Sequence, residues 1–407
     1  MQKDGRPLTK NQERLAILAL ASVPLIMTLG NSMLIPILPL LEKKLSISKL
    51  QSSYIITVYS IVTIVFIPLS GYLSDRFGRK KIIVPALILT GVGGLISGLA
   101  AWKMENPFAL VLVGRILQGI GASGAMPVVI PLVGDMFEEE EEASATLGVI
   151  ETSNTIGKVL SPILGSALTA ILWFLPFLSI PVLAAISLAL IIFFIPRKKG
   201  KMEAFDTKKY WKQIKHVFKT HKRWLLSIFA IGAIVMFILF GFLFYASTVL
   251  EDDHNFKGVT KGFLLAIPLF ALASASFITG KLIKDKMQTM KWLIVIGLAI
   301  AGTSTIGIPF AKNYYFLLAI FFLCGAGIGM TLPCLDAIIT ENIEKDVRGS
   351  ITSFYSAMRF VGVATGPPAV AFLMKKELVW IVAIFILLAG FALFLAWRKI
   401  YPPQKAM

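Results

Sequence analysis

Apolar residues fall in long, nearly unbroken runs along the chain, and polar residues are gathered into short segments between them. A helix needs roughly 20 mostly apolar residues to cross a bilayer. Twelve runs meet that length, at about 15–41, 50–70, 82–101, 108–134, 145–172, 174–195, 224–250, 260–283, 292–311, 315–340, 350–374 and 378–397. The pattern predicts an all-α membrane protein with 12 transmembrane helices. The first run holds Pro24, Pro36 and Pro39, exceeds a signal-peptide core and lacks a small-residue cleavage pattern, so it is expected to remain as span 1.

The longest polar segment, 196–223, separates six spans from six. It defines an N-terminal bundle at 1–195, a linker at 196–223 and a C-terminal bundle at 224–407. In the linker Tyr210, Trp211, Ile214, Val217 and Phe218 share one face with lysines between them, the pattern of a helix lying on the inner membrane surface. The halves also echo one another: GASGAMPVV…GKVLSPILGS in spans 4 and 5 matches GIGMTLPCL…GVATGPPAVA in spans 10 and 11, and GYLSDRFGRK is echoed by GKLIKDKMQTMK. Duplicated six-span units are a transporter architecture, with substrate held at mid-membrane where the repeats meet.

Composition agrees with lipid as the solvent: 56% of residues are hydrophobic, 15% are charged and mean hydropathy is +0.78. The net charge of +17 would point to nucleic acid if it were spread evenly. It is not. With the N-terminus in the cytoplasm, 28 of the 40 lysines and arginines fall on inner segments and 9 on outer loops. Orientation therefore accounts for the basicity, with both termini cytoplasmic in a multi-pass plasma-membrane protein, the bilayer as partner and no nucleic acid. Cys324 and Cys334 are ten positions apart on one helix, about 15 Å, beyond disulfide reach.

The stretch GYLSDRFGRKK, residues 71–81, places a knot of charge between two apolar runs. Gly71 and Gly78 are expected to allow a tight reversal, and Asp75 to face the positive N-terminal end of span 3. Arg79 is then expected to reach a carboxylate on a neighbouring span, Asp135 at the end of span 4. Gly71, Leu73, Asp75, Arg76, Gly78, Arg79 and Lys80 resemble, position by position, the loop signature of the major facilitator superfamily, G-x-L-a-D-r-x-G-r-k. In span 4, Arg115, Gln118, Gly119 and Gly121 resemble its second signature. In span 5, Gly148, Gly157, Pro162 and Gly165 resemble its antiporter signature, with Ser161 and Ser166 where glycine is usual.

The chain is thus similar to the twelve-span drug:proton antiporters of that family. The resemblance implies a major-facilitator-type fold of two pseudo-symmetric six-helix bundles and exchange of substrate against protons. It also implies proton handling at Arg115 and close helix packing at Gly148, Gly157, Pro162 and Gly165; from the charge pattern itself Gly71, Asp75, Arg76, Gly78, Arg79 and Asp135 are expected to form a cytoplasmic latch, beside the part that the basic residues play in enforcing topology.

Ionisable groups inside a span are costly unless paired or hydrated, which makes them functional candidates. Span 5 lines up Glu151, Asn154, Thr155, Lys158 and Pro162 on one face, and span 11 lines up Thr352, Tyr355, Arg359, Gly362 and Gly366. Both faces are expected to border a water-filled central cavity. Asn31, Asn154, Lys158, Tyr245 and Arg359 are the candidate substrate-binding residues. Arg115, Glu151 and Asp336 are the candidates for proton coupling, with Glu151 or Asp336 as carrier; the alternative for these two acids is an end-of-span residue snorkelling to the interface. The glycines around Gly93 and Gly327 are expected to serve packing, and the run 138–142, EEEEE, to be a solvated inner loop.

No phosphate-binding lysine loop is present, so ATP is not expected to drive the protein. No nucleophile–histidine set or zinc spacing points to an enzyme, a cofactor or a metal; His216 and His221 lie among lysines. The leading expectation is a monomeric, proton-coupled secondary exporter of small amphipathic compounds, including drugs, working by alternating access. Lys158 and Arg359 favour an alternative, a dedicated exporter of an anionic metabolite such as a siderophore. A flippase for a lipid-linked headgroup is a third reading.

Overall fold

A computed structural model describes residues 2–3, 6–7, 9–137, 140–196, 207–283, 287–311, 313–343 and 345–400. Apart from a two-residue pairing of Gln2–Lys3 with Arg6–Pro7, its regular elements are helices. The chain divides into two compact units, Met1–Thr207 and Lys208–Met407. In the first unit, α1 (Lys10–Ser32), a 3-10 turn (Ile35–Ile37) and α2 (Leu38–Leu45) make span 1; α3 (Lys49–Phe77), α4 (Arg79–Lys103), α5 (Phe108–Met136), α6 (Glu140–Ile171) and α7 (Leu175–Phe194) make spans 2 to 6. In the second, α8 (Thr207–Asp252), α9 (Gly258–Leu282), α10 (Met287–Thr305), α11 (Tyr314–Asn342), α12 (Lys345–Leu373) and α13 (Leu378–Lys399) make spans 7 to 12.

Local sequence sets the helix starts. Thr9 with Gln12 and Ser48 with Gln51 form reciprocal capping boxes at α1 and α3. Span 1 is not the single helix that its apolar run predicted. Pro36 and Pro39 lack the N–H groups a continuous helix would use, and the chain tightens into the 3-10 turn before restarting as α2.

Two further expectations change. The acidic run is not wholly a loop, because α6 begins at Glu140; Glu138 and Glu139 lie outside the described residues. The linker's amphipathic stretch is not a separate helix. From Thr207 it continues without a break into span 7 as the 46-residue α8, about 69 Å long and so roughly twice the hydrocarbon thickness. Ile214 and Val217 are buried, and the ring of Phe218 packs at 5.7 Å on Phe354 of α12. Residues 197–206 lie outside the described residues.

Among the described residues, ten of the twelve spans are by length and composition apolar enough to cross a bilayer, and the two that fall short are α6 and α12. These are the helices with polar stripes, and a polar stripe must face protein or water rather than lipid.

The two units repeat one packing scheme. In the first, α4 lies against α5 with Gly93 and Gly114 so close that a side-chain carbon on either would strike the other's carbonyl oxygen. In the second, Gly297 of α10 and Gly327 of α11 do the same. Gly157 seats α6 on the backbone of α1 and Gly165 seats it on Met33 just beyond the end of α1, and Gly362 and Gly366 seat α12 on the backbone of α8. At Gly148 the expected packing role fails: a side-chain carbon there would meet nothing within 4 Å, so the residue stands in open space.

Candidate functional site

The charged turn is built by Gly78, whose φ of 100° ends α3 and lets α4 begin at the next residue. Gly71 lies inside α3, six residues before its end, so the expected pair of turn glycines is a single one. Arg79, the first residue of α4, pairs with Asp75 in the last turn of α3, donates to the Ser74 hydroxyl at 2.7 Å and reaches Asp135 Oδ2 of α5 at 3.4 Å. Asp135 is the loosest member, its side chain 43% exposed against 20% for Asp75. Arg76 turns elsewhere, to the Tyr72 hydroxyl at 3.5 Å and the ring of Phe77. Lys80 has a partner the sequence did not reveal: its ammonium donates to the carbonyls of Ile192, at 2.9 Å, and Ile195, capping the end of α7.

Arg115 of α5 is fully buried. Its Nε donates to the carbonyl of Ile55 at 2.8 Å, its two terminal nitrogens donate to the carboxamide oxygens of Gln118 and Asn31, and its carbon centre lies 4.4 Å from the Tyr59 ring centroid. All of these partners are neutral, and α1, α3 and α5 supply them. Sequence reasoning placed Asn31 with the substrate-binding residues and Arg115 with proton coupling; the structure joins them.

One turn earlier on α1, Thr28 donates at 2.6 Å to Asn154 of α6, and the amide of Asn154 donates at 3.1 Å to Glu151. Asn154 is 2% exposed and engaged at both ends. Glu151 is exposed at the helix surface and Lys158, two turns on, is half-buried.

In the second unit Arg359 of α12 lies 3.6 Å from Asp336 of α11 and sits over the ring of Tyr355, 5.6 Å from its centroid. The sequence presented Asp336 as an isolated acid, because nothing local links residues 336 and 359. The stripe on α12 was expected to border a cavity. Tyr355 is instead buried against α8, where only a glycine at 232 leaves room for its ring, and Gly362 and Gly366 meet the α8 backbone. Tyr245 of α8 is buried.

Sequence reasoning missed a further pair. Glu251 closes α8 and Lys261 opens α9, their charged atoms 2.8 Å apart with side chains 7% and 2% exposed. The stretch EDDHNFKGVTK offers several acids and lysines around one hairpin, so no local signal singles these two out.

The family model described as Major Facilitator Superfamily matches residues 20–360 and 290–406. The Bacillibactin exporter of Bacillus subtilis (strain 168) is 50% identical over 374 residues, covering 92% of each chain. Multidrug resistance protein 2 of the same organism is 23% identical over 398 residues, 96% of each chain. Among solved structures, the D-xylose-proton symporter superimposes with a TM-score of 0.77 at 15% identity, covering 96% of this chain and 98% of the other, a likeness of fold.

Proposed function

The chain belongs to the Major Facilitator Superfamily, and on that footing we propose that it is a proton-coupled exporter of small amphipathic compounds whose preferred cargo is an anionic metabolite of the bacillibactin kind. It is a transporter, not an enzyme. What carries the reading is the disposition of cations within the spans. Arg115 is fully occupied by neutral oxygens, while Lys158 stands midway along α6 and Arg359 midway along α12, the latter in an ion pair with Asp336. The 50% identity with a bacillibactin exporter favours the same cargo class. Broad drug efflux is the second reading, favoured by the relation to Multidrug resistance protein 2.

In this reading the cargo-binding residues are Asn31, Asn154 and Lys158 in the first unit and Tyr245 and Arg359 in the second. Glu151 or Asp336 carries the proton. An anion drives the conformational cycle only if it binds one state better than another, and bringing negative charge to embedded cations provides that difference. The protein works as a monomer in the plasma membrane, with both termini and the 71–81 turn cytoplasmic.

Inside-out membrane vesicles energised by a proton gradient test the proposal. They should accumulate bacillibactin, lose that activity when a protonophore dissipates the gradient, and keep it when ATP is depleted with the gradient clamped. Accumulation indifferent to the gradient sinks the coupling. Lys158→Gln should weaken anionic cargo by about 1–3 kcal/mol, the scale of a charge-assisted hydrogen bond, and spare cationic dyes. Equal losses for both signs together with a lowered Tm would make Lys158 structural.

The turn yields its own prediction. Asp75→Ala and Arg79→Ala should insert and fold, because the remaining basic residues preserve orientation, yet turn over more slowly, because the tie from α4 to Asp75 and Asp135 is lost. Asp135→Ala, which removes the looser limb, should have the smaller effect. Wild-type turnover in correctly inserted Asp75→Ala protein removes the latch from the mechanism.

A further inference from the structure

We propose that the corner where α10 begins and α13 ends is a binding site for an anionic phospholipid, its headgroup held by Arg398 and Lys399 and an acyl chain laid along the two helices. Both helices are apolar enough to cross a bilayer, so lipid covers what they leave exposed. The inference is independent of the cargo.

The two helices run antiparallel and in contact. A side-chain carbon on Gly302 of α10 would stand 2.8 Å from the Ala389 methyl of α13, and at the other end the ring of Trp292 meets that of Trp397 edge-on, their centroids 5.3 Å apart. The two indoles are 44% and 50% exposed, and one turn deeper Ile296 and Phe394 are exposed as well. Each pair lies on one face of its helix. Together they make an apolar track that leads from the helix ends toward the middle of the membrane, wide enough in aromatic surface to seat a chain rather than a single methyl group.

Charge at the corner has one sign. Arg398 and Lys399 complete the last turn of α13, both exposed, and Lys291 lies 5.8 Å from the ring centroid of Trp397. In sequence the segments 281–291 and 398–407 hold seven basic residues against one acid, Asp285. Among the described residues the side chains of Arg398 and Lys399 meet no acid, and neither indole N–H meets an acceptor. An anionic phosphodiester answers both needs, with net negative charge for the cations and oxygens for the N–H groups. Long basic side chains at the end of a span extend to the phosphate layer, and indoles sit at the same interface. A zwitterionic headgroup would bring its own cation to a corner that is already positive. Basic clusters between membrane helices are a known setting for anionic headgroups. The end of α4 shows the contrast: Lys103 lies 3.9 Å from the ring centroid of Trp102, but Glu105 follows two residues on. One cation beside one acid anchors a span without selecting the sign of a headgroup.

The indoles themselves report on their neighbour. The purified full-length chain is held in detergent micelles doped with phosphatidylglycerol or phosphatidylcholine, each brominated on its acyl chains so that it quenches tryptophan fluorescence on contact. In wild type phosphatidylglycerol should be preferred about fivefold for each cation that its phosphate reaches. Arg398→Gln/Lys399→Gln should bring that preference below about twofold and leave quenching by phosphatidylcholine unchanged. Trp292→Phe/Trp397→Phe should remove the preferential part of the quenching, because the reporters are gone, with Trp397→Phe alone as the second probe should the double variant be unstable. Equal quenching by the two lipids in wild type would reduce the corner to an ordinary interfacial belt and overturn the proposal. A preference that survives neutralisation of Arg398 and Lys399, or loss of both indoles, would place the selective site elsewhere and overturn it too. If neither lipid reaches the signal of Trp292 and Trp397, the chain's own tail or a second copy covers the corner, and the proposal fails.

Discussion

Removing one partner of the Glu251–Lys261 pair is expected to destabilise the second unit by about 3–5 kcal/mol, whereas replacing both with apolar residues of similar volume is expected to cost little. The asymmetry follows from burial. With side chains 7% and 2% exposed, both ions have given up most of their hydration, and their attraction across 2.8 Å repays much of that loss. Lys261→Met keeps the desolvated carboxylate and removes its partner at 2.8 Å; Glu251→Gln does the same to the ammonium. The pair ties the last turn of α8 to the first turn of α9, across a hairpin whose positive-φ residues are Asn255 and Gly258. Either single change should therefore loosen the junction of spans 7 and 8. Thermal unfolding in detergent of Lys261→Met, Glu251→Gln and Glu251→Leu/Lys261→Met checks this, compared as inactivation rates where unfolding is irreversible. Losses in the double variant that equal the sum of the singles would show that side-chain packing, not charge, holds the hairpin.

The spans were legible because lipid imposes a length and a composition on each of them, and both are local properties of sequence. The repeat was legible for the same reason, as glycine and proline at matching places. What stayed hidden was the partner of each polar group. Periodicity put Tyr355, Arg359, Gly362 and Gly366 on one face of α12, yet could not say whether water or another helix covered it; small and polar residues suit either. The answer was the α8 backbone for the glycines and Asp336 for the arginine. Lys80 likewise belongs to a loop signature but acts on the end of α7, more than a hundred residues away in sequence. Gly71 and Gly78 looked equivalent as turn residues because both lack a side chain, and only the position of the helix end separates them. The Arg79–Asp135 contact was foreseen, since the charge knot needed an acid and Asp135 ended the adjoining apolar run.

At Arg115, lysine and glutamine are expected to fail alike. The residue is fully buried, and its planar fork serves three oxygens at once: Ile55 of α3, Gln118 of α5 and Asn31 of α1. No carboxylate is among these partners, so the arrangement depends on the number and directions of the donors more than on charge neutralisation. Lysine preserves the charge but has a point-like ammonium on a flexible stem. It cannot span all three acceptors, and at least one carboxamide oxygen is left buried without a donor. Each such group costs about 1–3 kcal/mol, so Arg115→Gln, which strands both carboxamides, should lose about 2–6 kcal/mol before repacking. Arg115→Lys should lose a large part of that and add a poorly solvated ammonium in place of a delocalised cation. Asn31→Leu removes one acceptor and should cost less than either. Transport in vesicles should fall to background in both Arg115 variants, because α1 is then no longer tied to α3 and α5. Measured Tm and proton-driven uptake for the three variants decide the matter. An Arg115→Lys protein with wild-type uptake beside an inactive Arg115→Gln would show that the site needs a positive charge and not a fork, and would return Arg115 to a purely electrostatic part in proton handling.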